Sequence, residues 1–223
     1  MTYDDAAVRT KAPDAAAERA SRLVTELATA ARRAQRHLAP LTRQAKDAAL
    51  LALADALVAG GDRILAANAE DLARARANGM SEGLIDRLAL DTDRLAAVAG
   101  AVREIAALPD PVGEIVDGQR LPNGLRVRRR RVPVGVVGMI YEARPNVTVD
   151  VTALALKSGN AVILRGGSAA EATNAVIIEV LRGALAGCGL SPDLVSTVDP
   201  AGRPGATALM RARGLVDVLV PRG

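Results

Sequence analysis

The sequence predicts an α/β protein. A bank of amino-terminal helices leads into a parallel, doubly wound sheet, with a β-arm between the two. Three observations carry this. Residues 14–108 place apolar side chains at helical spacing. Residues 132–223 alternate short, wholly apolar runs with helical segments, the texture of strands covered on both faces. Residues 112–131 have strand texture, two turn dipeptides and little apolar surface of their own. The expected divisions are therefore 1–111, 112–131 and 132–223.

In the helical region, Leu23, Leu27, Ala30, Ala34 and Leu38 form the first stripe, which Pro40 ends. Thr42 is placed to cap a second helix with Ala49, Leu53 and Leu57 on one face. Gly60 and Gly61 stop it, and Asp62 is the expected cap of a third. That helix carries Leu65 and Leu72 and ends near Asn78–Gly79. Shorter helices are expected over 82–89 and 92–107, before Pro109 and Pro111 close the region.

The arm reads VGEIVDGQRLPNGLRVRRRR, with turn signals at Asp117–Gly118 and Asn123–Gly124. Its arginines at 126 and 128–131 hold much of the chain's surplus charge, and strand alternation puts only some of them on either face. A hairpin with so little core needs a surface to lie on, such as another subunit.

From 132 onward the order is β-α-β-α-β-α-β. The strands are VPVGVVGMI, NAVILR, DLVSTV and VDVLVPR; the helices are VTVDVTALALKSG, SAAEATNAVIIEVLRGALAG and PGATALMRAR. Right-handed crossovers make this a parallel sheet, and its ligands belong beyond the carboxyl ends of the strands. The first strand runs into Glu142, Arg144, Pro145 and Asn146. Pro145 holds Arg144 extended. Asn146 can cap the following helix or aim its amide at a developing oxyanion. Arg144 can grip a phosphate or carboxylate bidentately, or pair with Glu142. The second strand ends in Arg165, Gly166, Gly167 and Ser168, where bare backbone and the free amides of a helix start make an anion site in principle. Neither turn is a G-x-G-x-x-G fingerprint or a Walker loop.

Composition excludes several functions. Tyr3 and Tyr141 are the only aromatic residues, so stacked nucleic-acid bases have no platform. One Cys and one His cannot build a Cys/His metal cluster, and no metal is expected. Cys188 reads as a small filler at a helix end rather than a nucleophile, and His37 as a helix-end cation. No run approaches the roughly eighteen apolar residues of a membrane span, and the amino terminus is not a signal peptide, so a cytoplasmic protein is expected.

The stretch RVPVGVVGMIYEARPNVTVDVTALALKSGNAVILRGGSAAEATN resembles the signature region of the γ-glutamyl phosphate reductase family, also called glutamate-5-semialdehyde dehydrogenases, within the aldehyde dehydrogenase superfamily. YEARPN and ILRGGS are distinctive, and the likeness runs over roughly residues 40–223, through ILAANAEDLARARANGMSEGLIDRLAL and the closing DVLVPRG. It implies an aldehyde dehydrogenase-like fold with a Rossmann-like core. It further implies NADPH-dependent reduction of L-glutamate 5-phosphate to L-glutamate 5-semialdehyde and phosphate, in proline biosynthesis. By resemblance, Asn146 is an oxyanion donor, Arg165 to Ser168 lie along the adenosine end of NADPH, and Arg144 is a candidate substrate contact. A homo-oligomer built through the arm and an association with glutamate 5-kinase are the implied partnerships. The family's cysteine nucleophile lies downstream of the PRG turn in which this chain stops. The expectation is thus an amino-terminal part without the catalytic domain, inactive alone. Two other functions compete: a different acyl reductase of the superfamily, and a non-enzymatic anion-binding module using the arginine arm.

Overall fold

The computed structural model describes residues 15–142 and 144–222. Five helices come first: α1 (Ala15–Leu38), α2 (Arg43–Ala59), α3 (Gly61–Ala77), α4 (Glu82–Leu88) and α5 (Thr92–Ala107). A hairpin of β1 (Ile115–Arg120) and β2 (Arg126–Arg130) follows. The remainder is β3 (Val136–Tyr141), α6 (Pro145–Lys157), β4 (Ala161–Arg165), α7 (Glu171–Gly187), β5 (Val195–Thr197), α8 (Gly202–Arg211) and β6 (Val218–Arg222).

The four later strands form one parallel sheet in the order β5-β4-β3-β6. Chain direction across the sheet therefore reverses between β3 and β6, and the carboxyl ends of those two strands flank the crevice. Helices α1 and α8 pack together on one side of the sheet, and α2, α3 and α5 stack against α6 and α7. Ala161, Val162, Ile163 and Leu164 of β4 are wholly buried, as an all-apolar central strand must be.

Glycine in β3 and just before it has packing reasons. A side chain at Gly138 would meet Leu219 Cδ1 at 2.7 Å. Gly135 has φ +127°, and a Cβ there would sit 2.2 Å from Asp217 Oδ2. Asp217 accepts from the Val136 amide at 2.7 Å and from the Arg32 guanidinium of α1. The long first helix is thereby fastened to the sheet's amino edge, away from the ligand edge.

Two buried lysines fix the other layer. Lys46, 1% exposed, pairs with Asp110 at 2.6 Å, and Lys157 donates to Asp47 and to the Ala106 carbonyl. Burial alone would raise the Asp110 carboxyl. The Lys46 hydrogen bond, the Val112 amide and the charges of Lys46 and Lys157 outweigh it and hold that carboxyl below its ordinary value. An unpaired buried ammonium costs several kcal/mol, so these pairs lock α2 and α6 to the chain leaving α5.

Several local expectations are corrected. In α1 the buried stripe is Ala20, Val24, Ala28, Ala31, Ala34 and Leu38, so Ala34 and Leu38 face inward as expected, while Leu23 and Leu27 lie on its flank. Small residues face inward because α1 lies close on the sheet, and leucines cover the edges. In α3 the same shift buries Ile64, Asn68 and Asp71 and leaves Leu65 and Leu72 partly covered. Asp62 is not a cap: Gly60 alone separates α2 from α3, and Asp62 lies in the first turn. Thr42 does cap α2, accepting from Ala45 N. In the arm, Asp117–Gly118 is no turn but paired strand beside a register shift; the chain reverses at residues 121–125, where Leu121 N donates to Leu125 O. Every residue of both arm strands is exposed.

Candidate functional site

The crevice between β3 and β6 holds a cavity of about 210 Å³ lined by Tyr141, Glu142, Arg144, Val147 and Arg222. A second cavity, of about 310 Å³, opens between α4–α5 and the start of α6 and includes Arg87, Arg94, Arg144, Pro145 and Asn146. Arg144 lines both. The structure thus brings Arg144 and Asn146 together at the carboxyl edge of the sheet.

Local sequence explains the placement. Pro145 opens α6, and Arg144 stands before it in extended conformation at φ −135° and ψ 101°. Arg144, not Asn146, is the cap residue. Asn146 falls inside the first turn, too late to cap, and its exposed side chain forms no hydrogen bond among the described residues. The capping role is overturned, and the amide remains free for a ligand. Arg144 likewise has no ion pair among the described residues, so the expected pairing with Glu142 is not made.

Arg165 ends β4 directly beside Ile140 of β3. Its Nη1 donates to the Gly166 carbonyl at 2.7 Å, while its buried Nε lacks a partner among the described residues. Gly166 is required here: a Cβ would come within 2.3 Å of Asn174 Nδ2. Its amide donates to Asp199, which follows β5 at the same edge. Burial pushes the Asp199 carboxyl up, partly offset by Thr197, the Gly166 amide and the Arg165 charge.

The anion site expected after Ser168 is not available in the form expected. Ser168–Ala170 makes a short 3₁₀ turn, and α7 proper begins at Glu171. Its leading amides are already taken: Ala172 N and Thr173 N donate to the buried carboxylate of Asp71 from α3, at 3.2 and 2.8 Å. Arg74 pairs with the same carboxylate. The protein supplies its own anion to this helix start.

A buried chain of hydrogen bonds ties the site's elements together. Thr148 of α6 donates to Asn174 Oδ1 of α7 at 2.7 Å, so its oxygen accepts from Tyr141 of β3 at 2.6 Å. Burial raises Tyr141 well above the ordinary phenol range, which keeps it a neutral donor rather than a base. Asn174 Nδ2 faces Gly166 and has no partner among the described residues.

Neither arginine-lined cavity includes Arg165, Gly166, Gly167 or Ser168. The two expected clusters share an edge of the sheet and a polar bridge, but not an enclosed space. The sequence reading missed Asp199, Asn174 and Arg87. Asp199 had a signal, since it follows an apolar strand as Arg165 does. Cys188 is exposed beyond the end of α7, with no metal-binding group of His, Cys, Asp or Glu among the described residues. No helix among the described residues is long and apolar enough to cross a membrane.

Residues 5–219 match the model of the "Aldehyde dehydrogenase family". The chain is 64% identical over 190 residues to a γ-glutamyl phosphate reductase of Kineococcus radiotolerans, covering 85% of this chain and 44% of that protein. It is 63% identical over 194 residues to the Clavibacter michiganensis protein of the same name, covering 87% and 45%. The crystal structure of γ-glutamyl phosphate reductase from Thermotoga maritima superposes with a TM-score of 0.87 at 39% identity, over 90% of this chain and 48% of that one. A probable aldehyde dehydrogenase from Listeria monocytogenes, 18% identical with a TM-score of 0.73 over 94% and 44%, shares the fold. The chain spans less than half the length of the Kineococcus and Clavibacter proteins.

Proposed function

The chain belongs to the aldehyde dehydrogenase family, and on that premise we propose that it is the cofactor-binding part of a γ-glutamyl phosphate reductase. The reaction is reduction of L-glutamate 5-phosphate to L-glutamate 5-semialdehyde and phosphate, with NADPH, in proline biosynthesis in the cytoplasm. Close relatives bearing that name support it. The structural observation that carries it is Asn146: an exposed, unbonded amide at the ligand edge, in a cavity lined by arginine.

Both halves of the reaction need such an amide. A cysteine thiolate from the remainder of the enzyme adds to the acyl carbon, and the carbonyl oxygen becomes an oxyanion. Its collapse expels phosphate and leaves a thioester. NADPH, when bound, supplies the hydride that reduces that thioester. The second oxyanion collapses to the aldehyde and releases the thiolate. Asn146 Nδ2 donates to the oxygen at both stages, from a position fixed by the first turn of α6.

The residues of this chain fit the adenosine end of the cofactor at one turn and not at another. Arg165 offers a buried, unpartnered Nε next to the bare backbone of Gly166 and Gly167, and a guanidinium suits a ribose phosphate. The α7 amino end does not fit a phosphate, because Asp71 fills it. Ser168 is exposed at that turn and is assigned to the same contact. The fully exposed β1–β2 hairpin is assigned to assembly with a second copy, and glutamate 5-kinase is the upstream partner proposed.

The test is the reverse reaction in the complete polypeptide that carries this chain. L-glutamate 5-semialdehyde should reduce NADP⁺ only when inorganic phosphate is present. Activity supported by coenzyme A and not by phosphate would assign the chain to an acyl-CoA reductase instead.

A further inference from the structure

We propose that Arg87, with Arg144, forms the subsite that reads the α-carboxylate of the substrate, in the cavity between α4–α5 and the start of α6. The proposal rests on the reductase reading above and names the residues that give it substrate specificity.

The charges of the cavity carry the inference. Three arginines and one aspartate line it. Arg94 is spent: its guanidinium donates to the Asp86 carboxylate at 2.6 Å and to the carbonyls of Asp86 and Ala89. Hydrogen bonding to Asp86 raises the Arg94 pKa, followed by the Asp86 charge itself. Asp86 is neutralised by the same contact. That leaves Arg87 and Arg144, whose guanidinium groups have no hydrogen bond or ion pair among the described residues. Two uncompensated guanidinium groups thus share a recess with the amide of Asn146.

The rest of the wall suits a short aliphatic chain ending in an acid. Leu90, Ala97, Val98 and Pro145 offer apolar surface for methylenes. With the reacting carbonyl held at Asn146, the chain of an acidic amino acid extends along that wall and brings its carboxylate to the arginines. A guanidinium fork matches a carboxylate with two parallel N–H···O bonds. An aldehyde without that carboxylate leaves the cations unpaired and loses the interaction.

The test is Arg87→Gln in the complete polypeptide, followed in the reverse direction. Arg87 is exposed and unbonded, so the variant should fold normally. The KM for L-glutamate 5-semialdehyde should rise roughly 10- to 100-fold, the loss of a charge-assisted hydrogen bond. The KM values for inorganic phosphate and NADP⁺ should stay within about twofold, and Arg87→Lys should recover part of the loss. An unchanged semialdehyde KM overturns the subsite. So does a rise in the phosphate KM alone, which would make Arg87 a reader of the phosphoryl group. If the wild type itself fails to oxidise the semialdehyde, the reductase reading fails. A working wild type matched by the variant overturns only the subsite.

Discussion

Replacing Asn146 with alanine in the complete polypeptide is expected to lower kcat by on the order of 100- to 1,000-fold, about 2.7–4 kcal/mol of transition-state stabilisation. The structure separates this loss from any loss of fold. The Asn146 side chain is exposed, caps nothing and bonds to nothing among the described residues, and alanine is the better helix former at its position in α6. The melting temperature should therefore hold or rise slightly while turnover falls. Because the amide meets an oxygen that is negative only in the transition state, kcat and kcat/KM should drop together. Steady-state kinetics beside a thermal melt decide it. An unaltered kcat removes Asn146 from the chemistry; a collapse of the melt shows a packing role that the geometry does not contain.

Changing Arg165 to alanine should weaken NADPH by roughly 10- to 100-fold and NADH by only a few-fold, measured as dissociation constants. The small common loss follows from structure. Arg165 Nη1 braces the Gly166 carbonyl, and its charge sits beside Asp199, so the turn loosens for either cofactor. The large differential loss requires the guanidinium to face the phosphate that distinguishes the two. Equal losses would leave Arg165 as a brace alone.

Much of this arrangement can be read from sequence, for stated physical reasons. The alternation from Val132 onward predicts a parallel sheet, because strands covered on both faces have no polar side. The rule that ligands gather beyond strand carboxyl ends then brings the turns after β3 and β4 to one edge, where Arg144, Asn146 and Arg165 are found. Thr42 announces its helix because the cap and the amide it serves are three residues apart.

What stays hidden depends on partners distant in the chain. Asp71 closes the amino end of α7 from 101 and 102 residues away, so local sequence alone points to a free anion site there. Gly135 and Gly138 form no nucleotide fingerprint, and the sequence gives no other reason for them; that reason is Asp217 and Leu219 packed against them. In α1 the leucines suggest the inward face, but the close approach of helix to sheet selects alanine. Arg87 gives no local signal at all: it is an arginine on the exposed face of a short helix, and only the recess shared with Asn146 distinguishes it.

On the proposed function, one edge of the sheet works as a unit, with the cofactor's phosphate on the β4 turn and its reactive end toward Asn146. A crystal structure of the complete polypeptide with NADP⁺ measures this directly. The ribose phosphate should contact Arg165, the nicotinamide should lie at the crevice between β3 and β6, and Asp71 should keep its bonds to Ala172 and Thr173. A pyrophosphate seated on the amino end of α7 with Asp71 displaced, or a nicotinamide remote from Asn146, would contradict the account.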